Sequence, residues 1–398
     1  MFHVSNTIRT VHLDTCQLRL DTGSFLHISE CESMIKLLET GLVYRNPNPH
    51  RRSIHAWHPT LVVLDDGQLL SAFDLGEAVE SVDYRTYLSR SSDSGHTWTP
   101  PGRVFPDAND RLQRHSVRLA PMRDGTIVAM GSRRYLEHAD EDVFNRETFG
   151  SLPSELILLR SKDQGRTWQG PTVVQSPLRN PLEICHAVIE LADGRWLLPA
   201  SIFRNWDGTA PDGVKAVALV SEDKGQTWNG HLDLLDSYDR GCAHFEVSVI
   251  QLPDGRLLAA SWAFEFESGK SHPLPYAISA DGQTFGPARS TGLNGETSKM
   301  LSLGEDRILV IYRRFDKPGL WAGLVRMEGD KWVNLEEMPL WQGASSKMFG
   351  ERASADELSA LQFGFPQPHR LPDGNVMVVF WCREDCVHNI RWLRIAVD

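Results

Sequence analysis

The sequence has no long apolar run. No stretch could span a bilayer as a helix, and the opening residues Met1 to Arg9 carry no apolar core of a secretory leader. A cytoplasmic protein without a membrane partner is therefore expected. Positive charge is also in deficit: 41 Lys and Arg stand against 52 Asp and Glu, a net charge of -11. That balance argues against nucleic acid or an anionic membrane as the main partner. It leaves room for a small anionic ligand, because a local basic pocket can sit in an acidic protein. Cysteines are few and scattered, at Cys16, Cys31, Cys185, Cys242, Cys382 and Cys386. Reduced, mostly buried thiols are expected. Cys382 and Cys386 with His388 resemble half a metal site, but no second ligand pair lies nearby in sequence. No linker or low-complexity segment divides the 398 residues, so one domain over 1–398 is expected. No cofactor is implied, and the oligomeric state is left open.

What the chain does have is repetition. Ser91 to Trp98, Ser161 to Trp168 and Ser221 to Trp228 share the form S-x-D-x-G-x-T-W, and Ser279 to Phe285 is a shorter fourth copy. Asp can bond nearby backbone N–H groups, Gly can take positive φ, and Thr and Trp restart a strand. Related turns at regular spacing mean a repeated supersecondary unit.

A second repeat is interleaved with the first. Apolar runs flank tight turns at Asp66-Gly67, Asp124-Gly125, Asp193-Gly194, Asp254-Gly255 and Asp373-Gly374, with a glycine-free version at Glu305-Asp306. Each reads as a hairpin. A hairpin plus one S-x-D-x-G-x-T-W turn makes four strands, which is one propeller blade. Six units predict an all-β, six-bladed β-propeller of four-stranded blades. Strands near residues 8–20, in a lead-in over 1–50, are expected to complete the last blade. Residues 30–42 read as a short helix or another strand, and a helix is expected near Ser354 to Leu361.

In a blade the first strand lies nearest the axis and runs toward its Asp-Gly turn. Starts of first strands and ends of second strands therefore share one axial mouth. The starts are Trp57-His58-Pro59, Arg114-His115, Glu183 to His186, His244 to Glu246, Thr297 to Lys299 and Gln362 to Gly364. The ends supply Asp74 with Glu77 and Glu80, Arg133-Arg134, Arg204 with Trp206 and Asp207, Phe264-Glu265, Tyr312 to Arg314, and Trp381 with Arg383 and Glu384. Drawn from six blades onto one face, this Arg-, His-, Glu- and Trp-rich set points to function. The S-x-D-x-G-x-T-W turns lie at the periphery, so Asp93, Asp163 and Asp223 are expected to be structural.

These repeats resemble the sialidase (neuraminidase) superfamily of six-bladed, Asp-box (BNR-repeat) propellers, from about His55 onward. The resemblance implies a glycosidase site with an arginine triad, a Tyr nucleophile helped by a Glu, and an Asp acid/base. The family's F-R-I-P phrase reads Ala56-Trp57-His58-Pro59 here, which puts His58 in the place of the first arginine. The stretch that would open the last blade with Tyr holds none, and Tyr312 on the preceding blade is the nearest candidate. Glu246 or Glu183 matches the supporting Glu.

The expected function is a sialidase-like exo-glycoside hydrolase acting on a small acidic or modified sugar. Glu80 or Glu77 would be the acid, and Glu246 or Glu183 the base or nucleophile helper. His58, Arg133, Arg204, Asp207, Arg313 and Arg314 would hold the substrate, and Trp57, Trp206 and Trp321 would stack on sugar faces. Two alternatives stand beside it. His58, His115, His186 and His244 could converge on a metal, or serve a lyase of uronic-acid sugars. The propeller could also bind carbohydrate without turning it over.

Overall fold

The computed structural model describes residues 33–107, 109–317, 319–342, 362–384 and 386–398. Over Met34–Asp398 the chain forms six four-stranded antiparallel blades. Blade I runs through His55–Val63, Leu69–Gly76, Arg85–Ser91 and Gly102–Arg103, and blade II through Gln113–Pro121, Ile127–Tyr135, Glu155–Ser161 and Gln169–Val174. In blade III the first strand is split into Leu182–Glu183 and Ile189–Glu190, both paired to Trp196–Ile202; Ala216–Ser221 and Gly230–Leu235 follow. Blade IV is Cys242–Gln251, Leu257–Glu265, Pro275–Ser279 and Arg289–Ser290; blade V is Gly295–Gly304, Arg307–Arg314, Gly319–Glu328 and Lys331–Trp341. Blade VI takes Phe363–Arg370, Val376–Glu384 and Val387–Val397, and its outer strand is Ile35–Tyr44. The closing strand thus comes from Ile35–Tyr44, which overlaps the stretch 30–42 read as helix or strand. Residues 8–20 and 354–361 lie outside the described residues. The one helical element among those described is a single 3-10 turn, Tyr238–Arg240.

All six expected hairpins form. Gly67, Gly125, Gly194, Gly255 and Gly374 take φ between 80° and 92°, while Gly304 and Glu305 share the positive-φ work in the remaining turn. Alternate residues of each blade face its two neighbours, and each neighbouring pair shares one apolar cluster. Leu70, Leu119 and Ile157 belong to the cluster between blades I and II, and Leu309, Leu324 and Phe380 to that between V and VI.

The Asp boxes hold their own turns. Asp163 accepts from Ser161 Oγ (2.8 Å), Thr167 N (2.9 Å) and Thr167 Oγ1 (2.6 Å). Ser91–Asp93–Thr97 and Ser221–Asp223–Thr227 repeat the pattern. A Cβ on Gly225 would come within 2.8 Å of the Trp196 ring, so only glycine fits there. The boxes also link blades. Arg90 of blade I donates to Gln164 O, Arg160 of II to Lys224 O, and Arg195 of III to Gly282 O. Arg256 of IV reaches Gly329 O of V, and Arg307 of V reaches Asp398 O. His96 of blade I meets Glu39 of blade VI at 2.8 Å and completes the ring.

Candidate active site

The first strands pack side by side around the axis, and four of them carry a bulge at the equivalent place. The pairing register slips at Trp57/Thr60, Phe245/Ser248, Glu296/Lys299 and Gly364/Gln367. In each slip one non-glycine residue has positive φ: His58 (46°), Glu246 (50°), Thr297 (43°) and Phe365 (51°). Each such conformation costs about 1–3 kcal/mol and clusters where function needs it. A bulge also re-aims side chains. Blade III reaches the same end by leaving the ladder between its two short strand pieces, where Cys185 and His186 are half-buried.

The result is a recess to which every blade contributes. Glu183 Oε2 accepts the backbone N–H of Glu246 at 2.9 Å, and Lys299 Nζ donates to Glu246 O at 3.2 Å. One carboxylate oxygen each of Glu183 and Glu246, with Cys185 Sγ, lie within 4.8 Å of one another. All three side chains are half-buried. Two carboxylates and a sulfur at that spacing are also the set that could hold a divalent ion. The floor is closed by Lys299 and Phe365, each at most 2% exposed. The Phe365 ring lies 4.9 Å from the Arg118 guanidinium, 5.5 Å from Lys299 Nζ and 5.0 Å from the His58 ring.

In blade I the carboxylate of Asp74 is fully buried and saturated. It accepts from Thr86 Oγ1 (2.5 Å), Ser116 Oγ (2.5 Å), Tyr84 OH (3.1 Å) and Arg118 Nη1 (3.1 Å). Burial alone would raise its pKa, but Arg118, His58 and Ser116 hold it down at about 2. Tyr84 OH also meets His58 Nδ1 at 2.5 Å. Burial lifts Glu183 to about 7, helped by the neighbouring Glu246 carboxylate. Burial and both carboxylates push the Cys185 thiol up, and burial pulls Lys299 down against the pull of Cys185, Glu246 and Glu183.

Two buried arginines stand beside these groups. Arg114 pairs with Glu80 and lies 4.9 Å from the Tyr84 ring. Arg134, directly across the strand pair from Arg114, has among the described residues only Ser151 Oγ as a hydrogen-bond partner, at 3.2 Å, and its Nε is buried without one there. Burial first, then Arg114, lowers Arg134 to about 10, with Glu80 and Glu183 opposing.

Of the residues expected at the site, the structure gathers Glu183, Glu246, His58 and Glu80, the last through Arg114. Others are placed elsewhere. Tyr312 is buried in the cluster between blades IV and V and donates to Glu337 on the outer strand. Trp57 is 3% exposed and packed between Trp381 (4.3 Å) and His388 (3.9 Å), so no sugar can stack on it. Arg313 is held by Glu296, and Arg314 by Asp316 and Glu337 over the Trp321 ring at 4.6 Å. Arg133 pairs with Glu155 at 2.6 Å, and Arg204 lies 4.5 Å from the Phe266 ring. Asp207 caps its own turn through Thr209, and Glu77 is exposed. Trp206 is 38% exposed.

The four histidines do not converge. Among the described residues, the one group able to offer three ligands is Glu183, Cys185 and Glu246. His115 stacks on Phe105 at 4.1 Å, His186 Nδ1 meets Ala187 O, and His244 Nδ1 meets Ser261 Oγ. Cys185, Cys242, Cys382 and Cys386 are free, but Cys382 alone is buried and Cys386 is exposed; Cys16 and Cys31 lie outside the described residues. Tyr84, Ser116, Arg118 and Phe365 were not legible as site residues. For Arg118 a signal existed: a cation inside the apolar run Val117 to Ala120 must have a partner.

The family description "BNR repeat-like domain" matches residues 142–378, more than half of the chain. The chain belongs to that family. No curated protein matches the BNR repeat-like chain in a sequence comparison. Among solved structures it is similar to a Dyadobacter fermentans protein of unknown function, at 21% identity and TM-score 0.72, covering 92% of this chain and 100% of that one. It is also similar to a Penicillium chrysogenum alpha-L-arabinanase complexed with arabinobiose, at 16% identity and TM-score 0.62, over 91% of this chain and 99% of that one. The NanB sialidase from Streptococcus pneumoniae is similar at 12% identity and TM-score 0.60, over 89% of this chain and 70% of that one. These likenesses establish the sialidase-like propeller fold.

Proposed function

We propose that this protein is an exo-acting glycoside hydrolase that works by double displacement on an acidic sugar. The observation that carries this reading is the Glu183–Glu246 pair, with carboxylate oxygens within 4.8 Å in a half-buried recess. Carboxyl groups about 5 Å apart suit a covalent intermediate, whereas inverting enzymes need a wider gap for water. Glu183 keeps its proton up to about 7 and is suited to be the acid. It protonates the leaving oxygen as the glycosidic C–O bond breaks, while the Glu246 carboxylate attacks the anomeric carbon. Glu183 then takes a proton from water, which attacks the same carbon and releases Glu246.

A floor closed by Lys299 and Phe365 favours a chain end over an internal linkage. Arg134, buried and short of a carboxylate, suits an acidic substituent through charge-assisted hydrogen bonds. A sialidase and an alpha-L-arabinanase among the fold neighbours support a sugar as ligand. The test is a panel of aryl glycosides and uronides with the Glu183→Gln and Glu246→Gln variants. General acid catalysis supplies roughly 100- to 10,000-fold, and a loss of that order is expected for Glu183→Gln on poor leaving groups. A 2-fluoro glycoside should leave its mass on the peptide carrying Glu246. Sugar binding without turnover in the wild type would replace this reading with a binding propeller.

A further inference from the structure

We infer that Asp74 and Tyr84 lock His58 in its Nδ1–H form, so that the bare Nε2 faces the axial mouth as a fixed acceptor for a sugar hydroxyl. The hydroxyl rests on the glycosidase reading above; the tautomer and its orientation do not. Proton counting leads there. Asp74 is ionised and can only accept. Tyr84 has one hydroxyl hydrogen, two neighbours, and no exposure to solvent. Its oxygen lies 3.1 Å from Asp74 Oδ2, and that contact needs the hydrogen, because two bare oxygens would repel. Tyr84 must therefore accept from His58, so the hydrogen at the 2.5 Å contact sits on Nδ1. The opposite tautomer would also aim a lone pair at Asp74 Oδ2, 3.6 Å away.

A neutral imidazole has one donor and one acceptor. With Nδ1 committed inward, Nε2 is the acceptor. The ring is 25% exposed, and Nε2 has no hydrogen-bond partner among the described residues. Burial and Arg118 keep the ring neutral against the opposing pull of Asp74 and Glu246, and the other groups facing it are Tyr84 and Phe365. The backbone supports a dedicated role. His58 holds φ of 46° directly before Pro59, a conformation that a non-glycine residue adopts only under constraint. The same bulge turns His58 to the mouth while Trp57 points into the core. An acceptor that cannot become a donor at neutral pH selects a hydroxyl at that position and rejects an ether oxygen or a carboxylate.

The experiment is a long-range 15N–1H correlation spectrum of the full chain labelled at histidine, with His58 assigned by His58→Gln. The expected pattern is a protonated Nδ1 and an unprotonated Nε2, and Tyr84→Phe should collapse it toward a tautomer mixture. Excess D-glucuronate, used as the acidic-sugar probe, should shift Nε2 upfield. It should also slow modification of His58 by diethyl pyrocarbonate, which attacks a bare ring nitrogen. A protonated Nε2 in the wild type would overturn the lock. A correct tautomer whose Nε2 does not respond to D-glucuronate would overturn the hydroxyl-acceptor role. Because none of these signals needs turnover, loss of the Glu183–Glu246 mechanism alone would leave them unchanged.

Discussion

Arg114 and Arg134 stand directly opposite each other across the two inner strands of blade II, and among the described residues only Arg114 has a carboxylate partner. Like charges in register oppose sheet pairing. A buried guanidinium without a counter-ion adds a desolvation cost. Both costs fall when an anion enters. Arg134→Met should therefore raise KM for an acidic aryl glycoside by roughly tenfold or more, the equivalent of about 1.5–3 kcal/mol for a charged hydrogen bond. The melting temperature should hold or rise, and a neutral glycoside should be unaffected. Equal losses on both substrates would remove Arg134 from substrate recognition.

If Glu183 is the acid proposed above, it sets the alkaline limb of activity. Its proton is held up to about 7 by burial and by Glu246, while Lys299 opposes both. Activity should fall as pH rises through about 7. Lys299→Met removes the opposing charge, so the limb should move to higher pH; a limb that stays or moves down contradicts the assignment. The same shift links to stability. A carboxyl whose pKa is raised by folding stabilises the fold most below its unfolded value near 4.5, and that contribution is lost as pH rises to about 7. Asp74 behaves oppositely: its contribution is present above 3.8 and lost as pH falls toward about 2.

Asp163 bonds Ser161, Arg166 and Thr167 within its own turn, far in role from the recess. Asp163→Ala should lower the melting temperature by a few degrees and leave kcat/KM of the folded fraction unchanged. A selective loss of kcat would give the Asp box a part in the chemistry that its position denies it.

Gly41 lies on the outer strand of blade VI, where a Cβ would stand 2.6 Å from the Trp392 ring. Gly41→Ala must displace that ring. Overpacking of this kind costs about 1–3 kcal/mol. A lower urea midpoint is expected, with kcat/KM intact below the transition.

The Asp boxes were legible because their chemistry is local. Ser, Asp, Gly and Thr close the turn with bonds spanning at most four residues, so the sequence order contains the geometry. The recess was only partly legible because register decides it. Trp57 and His58 are neighbours, and strict alternation cannot tell which one faces the axis; the slip between Trp57 and Thr60 does. Tyr312 had the side chain that the resemblance asks for, yet its place in the ladder sends it between blades IV and V. Glu183 and Glu246 were legible because both fall in the first half of a first strand. Their meeting required the break in blade III and the bulge in blade IV, and no run of residue types announces either.

Blade VI draws its outer strand from Ile35–Tyr44 and its neighbour from Val387–Val397. On the ribosome these two strands are separated by the synthesis of every other blade. Five blades can assemble as they emerge, but Ile35–Tyr44 must wait with an unpaired edge until its partner is made. The arrival of Val387–Val397 therefore decides whether the ring latches or leaves that edge open to another chain.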